Sequence, residues 1–258
     1  MSGIAVGRVD GAGRQCHALS RGFATLSVEI LFGSIALLLG LIFGLYLWDW
    51  IHPATQTLGR SERLQNSVGS EPFAVSTNIL SAGAIAEKWS VLQLNVRNEM
   101  KRVAACRGQR SECADVGALR FLRIVEEART RQGLARLGEV NRAINLAIRP
   151  VSDLKNFGEA DVWSAPLSTL ARGSGDCEDY AIAKMGILLE TGTSSQDLRL
   201  VILRSMNGRD EHAVLAVRRQ GHWLILDNRT LIIVTDVELR GFQAIFIVDQ
   251  NGARVVAS

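Results

Sequence analysis

A thiol, an imidazole and a carboxylate occur in the order Cys177, His212, Asp227 in this 258-residue chain. These types suit nucleophilic catalysis: the thiolate attacks, the imidazole takes and returns a proton, and the carboxylate orients the imidazole. Cys177 lies in GSGDCEDYAIAKMGILLETG, residues 173–192. Gly173 and Gly175 permit a tight backbone approach, and Asp176 or Ser174 can cap a helix that follows. The thiol then sits in the first helical turn, where the dipole and free N–H groups favour the thiolate. The alternative is a buried structural cysteine on a capped helix.

His212 and Asp227 fall on two strand patterns, HAVLAVRR (212–219) and HWLILDN (222–228). A two-residue turn at Arg219 and Gln220 places 212 directly opposite 227, so both side chains share a face. A slip of one residue would separate them. The competing reading is an exposed hairpin end. His222 is a rival base, but this register sets it against Val217, an apolar position. Asp176, Glu178 and Asp179 crowd Cys177, and three carboxylates beside a thiol oppose its ionisation. They are either first-turn acids that complement the helix dipole or oxygen ligands for a hard cation such as calcium.

The elements that must position these groups are helices first and strands after. Helical spacing begins near residue 82 (Ile85, Trp89, Leu92, Val96) and recurs over 116–131, 134–148 and 177–191. Residues 151–175 read as irregular. Short runs rich in Val, Ile and Leu follow at 198–205, 212–219, 222–228, 231–237 and 243–248. This order predicts an α+β domain over 76–258, a helical part packed on an antiparallel sheet, and not a doubly wound sheet.

The net charge of +3 is scattered arginine without a dense basic run, which argues against nucleic-acid binding. Ile30 to Trp48 carries no charge over 19 residues and ends among Tyr46, Trp48 and Trp50. It reads as one N-terminal membrane helix within 23–50, a retained anchor or an uncleaved signal. Arg8, Arg14 and Arg21 precede it, so residues 1–22 are expected in the cytoplasm and the rest on the outer side. Residues 51–75 are polar and read as a linker. Cys106 and Cys113 flank RGQRSE and can close a disulfide loop, while no CxxC or histidine pair completes a zinc site. Cys177 is then expected to be unpaired.

The string GDCEDYAIAK (175–184), with HAVLAV (212–217) and LDN (226–228), resembles the bacterial transglutaminase-like cysteine proteinases, and among them the LapG-type periplasmic adhesin proteases. VNRAIN (140–145), DVWSAP (161–166) and the Cys106/Cys113 pair share in the similarity, which covers roughly residues 80–230. The resemblance implies a papain/transglutaminase-like fold and a triad of Cys177, His212 and Asp227. It implies calcium beside the nucleophile, on Asp176, Glu178 and Asp179. It also implies periplasmic cleavage of a large surface adhesin near its N-terminal retention module, at a di-alanine-containing site, with release of cells from biofilm. An inner-membrane receptor for cyclic di-GMP is the implied regulator, and the Trp163 loop is expected to shape the cleft or meet that receptor. Transglutaminase or amidase chemistry with the same triad, and a non-catalytic tethered binding module, are the alternatives. The anchor and the tail after Leu231 depart from the family pattern.

Overall fold

The computed structural model describes residues 71–208 and 210–257. The expected cytoplasmic segment, the membrane helix and nearly all of the linker lie outside the described residues. Among the described residues, no helix is long and apolar enough to cross a membrane.

From Thr77 onward the chain forms one unit. Strand β1 (Thr77–Leu80) leads into the long helix α1 (Ala84–Gly108), then α2 (Val116–Arg129) and α3 (Gly133–Ala147). Asp115 starts α2 by accepting the Ala118 N–H at 3.0 Å, one of the donors a helix N-terminus leaves open. Cys106 and Cys113 are joined in a disulfide with a Cα separation of 5.1 Å. It ties the end of α1 to the start of the connection into α2.

The segment expected to be irregular contains two short helices, α4 (Asp153–Phe157) and α5 (Pro166–Arg172), and two two-residue strands, β2 (Arg149–Pro150) and β3 (Ser174–Gly175). β2 and β3 pair in parallel. Helix α6 (Cys177–Glu190) follows and is buried over twelve of its residues, from Cys177 to Leu188. A helix enclosed over twelve residues belongs at the centre of a domain. It packs against α3, α5 and the sheet strand β5. Gly186 permits the α5 contact, since a Cβ there would stand 2.8 Å from Pro166 Cγ.

The sheet is antiparallel, with β4 (Leu198–Ser205), β5 (Glu211–Arg219), β6 (His222–Leu226), β7 (Val234–Thr235), β8 (Phe242–Asp249) and β9 (Gly252–Val256) joining β1 in the order β1-β9-β8-β4-β5-β6-β7. The strand expected over 231–237 is only β7 and a 3-10 turn at Asp236–Glu238. The α+β class holds, with the helical half on the sheet.

The β5–β6 hairpin corrects the expected register. Its turn is Gln220–Gly221, and Arg219 pairs with His222. Both turn residues have positive φ, +51° and +81°, as a two-residue turn that follows sheet twist requires. Glycine fills the second of these positions most readily, so the turn forms one residue later than expected. The pairing therefore shifts by two, which keeps His212 and Asp227 on one face but makes them diagonal neighbours.

Candidate active site

His212 sits near the start of β5, beside the central strand β4, where Leu203 is its partner. Asp227 is the first residue beyond β6. His212 Nε2 and Asp227 Oδ1 are 2.8 Å apart, and both residues are buried. The same Oδ1 accepts the Arg229 N–H at 2.9 Å. With its Nε2–H donated to the carboxylate, the imidazole presents Nδ1 as acceptor, and that atom is buried without a hydrogen-bond partner. A ring in this tautomer can take a proton at Nδ1 while Asp227 steadies the resulting cation.

Burial lowers the His212 pKa, and Asp227 opposes that effect. Burial tends to raise the Asp227 pKa, but hydrogen bonding and charge from His212, with help from Arg229, bring it below the ordinary carboxylate value. The loop after Asp227 is fixed from the helical half. Asn145 Nδ2 donates to the Asp227 carbonyl at 2.9 Å and to the Thr230 carbonyl at 3.1 Å. Asn141 Nδ2 donates to the same Thr230 carbonyl at 3.1 Å. Both asparagines lie in the VNRAIN segment of α3. The sequence reading gave them no role, and their spacing of four, one helical turn, was the available signal.

Cys177 opens α6, at 3% exposure, and α6 packs on the strand that carries His212. Its Sγ is 3.1 Å from Glu178 Oε2. Contrary to expectation, Cys177 is not a free thiol in this structure.

The acids divide into two groups. Asp176 and Glu178 meet Asp153, with ligand oxygens all within 4.8 Å. Asp153 had no role in the sequence reading. The parallel β2–β3 pair brings it there, with the Val151 N–H donated to the Gly175 carbonyl at 2.9 Å. One oxygen of Asp153 accepts the Val162 N–H. Asp153 Oδ1 and Asp176 Oδ1 are buried without hydrogen-bond partners. Such a cluster costs free energy unless a proton or a cation offsets it. Burial, then Asp153, raises the Asp176 pKa to about 7, and burial raises Glu178 well above its ordinary value. The oxygen-only donor set fits a hard divalent cation.

Asp179 lies apart from this cluster. Its Oδ2 pairs with Arg172 at 2.8 Å and its Oδ1 accepts the Ser164 N–H at 3.0 Å. It is fully buried and ties α6 to α5 and to the loop before it. Gly175 allows this packing, since a Cβ there would fall 2.5 Å from Asp179 Oδ2.

Two other expectations meet their geometry here. His222 is exposed at the far end of β6 from Asp227, which removes it as a base. Trp163 is 9% exposed and packs edge-on against Trp89, at 6.5 Å between centroids.

A family model for bacterial transglutaminase-like cysteine proteinases matches residues 95–239, over half of the chain. The chain belongs to this family. That span contains Cys177, His212 and Asp227 and also Asp153, Asp176 and Glu178. Among solved structures, calcium-bound LapG from Legionella pneumophila aligns with a TM-score of 0.50 at 23% identity, over 59% of this chain and 87% of that one. LapG after EGTA treatment aligns with a TM-score of 0.42, over 52% of this chain and 84% of that one. The likeness is one of fold. No curated protein matches the chain.

Proposed function

We propose that this cysteine proteinase is a calcium-dependent endopeptidase, with Cys177 as nucleophile, His212 as base and Asp227 as the residue that orients the base. The observation that carries the reading is the buried His212–Asp227 bond of 2.8 Å, which leaves Nδ1 unpartnered on the strand that packs against the Cys177 helix. His212 Nδ1 takes the thiol proton, and the thiolate attacks the scissile carbonyl carbon. Backbone N–H groups at the start of α6, that of Cys177 included, are unused by the helix and stabilise the oxyanion. The imidazolium then protonates the leaving amine, and water activated by the neutral imidazole releases the acyl group.

Asp153, Asp176 and Glu178 would hold the calcium, with Asp153 in place of Asp179. The unpartnered carboxylate oxygens support that set. The similar LapG structure is calcium-bound, which supports the choice of ion. The bound cation supplies charge neutralisation beside the nucleophile, and the residues of this chain carry out the chemical steps.

The proposed setting is the outer side of a bacterial inner membrane, with the chain tethered by residues 23–50. The proposed substrate is a large surface adhesin cut near its N-terminal retention module, with biofilm release as the result and an inner-membrane cyclic di-GMP receptor as regulator. The family membership and the quoted motifs support the adhesin reading, and the uncharged run Ile30–Trp48 with the arginines before it supports the tether.

The test is incubation of the full chain, reduced and with calcium, with the exported adhesins of its own cell, followed by mapping of new termini. Cys177→Ala is expected to abolish the new termini while the protein stays folded. Cleavage that persists in Cys177→Ala would refute the assignment. Incorporation of a labelled amine in excess of hydrolysis would favour acyl transfer instead.

A further inference from the structure

Lys184 is fully buried in α6, and its Nζ has no hydrogen-bond partner. A lysine without solvent contact or partner is rare, since its charge is costly to bury. Its place in the helix is specific. Seven residues from Cys177 is two turns, so both side chains leave α6 on the same side. Nζ stands 5.9 Å from the centroid of the Tyr180 ring, α6 packs on the strand that carries His212, and the charge of Asp227 opposes the effect of burial on the ammonium. We propose that Lys184 is a positioning residue of the catalytic pair: a solvent-excluded cation on α6, the helix packed on the His212 strand, whose field adds to that of Arg229 in holding a proton back from His212. The proposal rests on the thiol-protease reading for its significance.

Other elements also place groups near His212, and among them the Arg229 cation lowers its proton affinity more than Lys184 does. The end of β6 contributes Asp227 and Arg229. β4 contributes apolar Leu203, and β8 contributes the Phe242 ring, 6.0 Å away between centroids. Glu211, next to His212 on β5, is paired with Arg204 at 2.6 Å. Lys184 is therefore the cation that α6 supplies to the pair. Burial lowers its pKa to about 7, so it carries charge in the range where His212, itself lowered by burial, gains its proton. A nearby positive charge makes a second one harder to place. Lys184 thus limits protonation of His212 and competes with it for Asp227.

The experiment follows the His212 ring by NMR in the calcium-loaded full chain, in a Cys177→Ala background so that the thiol does not titrate. The resonance is identified by its loss in His212→Gln. Lys184→Met keeps the length of the side chain and removes its charge. The expected result is a His212 midpoint raised by about half a pH unit or more, with Lys184→Gln showing the same direction. An unchanged or lowered midpoint would overturn the proposal. Loss of the fold in both variants would also overturn it, by making the role structural. In protein that retains Cys177, the acid limb of kcat/KM for peptide cleavage should move up with the NMR midpoint. Absence of any Cys177-dependent cleavage, with the NMR change intact, would sink the protease reading and leave the coupling standing.

Discussion

Replacing Lys184 with methionine should make this domain more stable at neutral pH, and the gain should disappear in alkali. The side chain is fully enclosed, and nothing accepts a hydrogen bond from its ammonium. Burial lowers its pKa from 10.5 to about 7, with Asp227 opposing that effect. Between those two values the unfolded chain binds a proton that the folded protein does not, so folding stability rises with pH across that window. At about 1.4 kcal/mol per tenfold in proton affinity, the full window corresponds to about 5 kcal/mol. Methionine has similar length, suits an apolar site and carries no proton to lose. The variant should therefore exceed the parent by several kcal/mol at pH 7, and the gap should close steadily toward pH 10. Urea unfolding followed by tryptophan fluorescence, at matched pH for both proteins, measures that gap, and titrating groups remote from Lys184 cancel in the difference. A gap that does not change with pH would refute the reasoning. So would a variant less stable than its parent at pH 7, because the ammonium would then contribute more through Asp227 than its burial costs.

Three further perturbations have defined outcomes. Asp227→Asn can keep its oxygen toward both His212 and the Arg229 N–H, so it should fold normally and lose about 10- to 100-fold in kcat/KM, the worth of a charge-assisted hydrogen bond; unchanged kinetics in a peptide assay would deny Asp227 its role. Under the calcium proposal, EGTA should slow cleavage and Asp153→Asn should weaken calcium binding roughly tenfold or more, whereas Asp179→Asn should leave the affinity nearly as it was. Calorimetric titration of the three proteins decides between the two ligand sets. Arg172→Leu should cost about 3 kcal/mol in chemical denaturation, because the enclosed Asp179 loses its ion-pair partner; a loss below about 1 kcal/mol would show that the Ser164 N–H suffices.

How much was legible in the sequence depended on whether a feature is local. The long helices follow from three- and four-residue spacing and begin within two residues of their expected starts. β4 runs over Leu198–Ser205 as read, because the apolar run Leu200–Leu203 at its centre, buried on both faces, has few other structures open to it. The hairpin register was off by two because the turn is set by which residues can take positive φ, and Gly221 decides that. β1 and β9 went unread: they are four and five residues long, and their pairing joins the two ends of the domain. Asp153 was missed for a stronger reason. Its place beside Asp176 comes from a two-strand parallel contact between segments more than twenty residues apart, and no periodicity encodes such a contact. Lys184 gave no warning either, since a lysine on a helix ordinarily carries its charge out to water.

The candidate site lies on the seam between the helical half and the sheet, and that placement sets residues distant in the chain on elements that pack together. The helical half supplies Cys177 at the first position of its most deeply buried helix, while the sheet supplies His212 near the head of a strand beside the sheet's centre. Neither half alone fixes Asp227, which lies just past the end of β6, where strand pairing no longer constrains it. Hydrogen bonds from Asn141 and Asn145 hold that stretch of chain through the Asp227 and Thr230 carbonyls, and both donors come from α3, which also packs against α6. The helix that supports the cysteine helix thus also holds the acid. Motion of the helical half against the sheet would disturb the His212–Asp227 bond and the packing of α6 on β5 together, and groups tied through shared supports keep their alignment better than groups carried by a free loop. The two asparagines are therefore part of what makes a buried histidine and a carboxylate past a strand end into a matched pair.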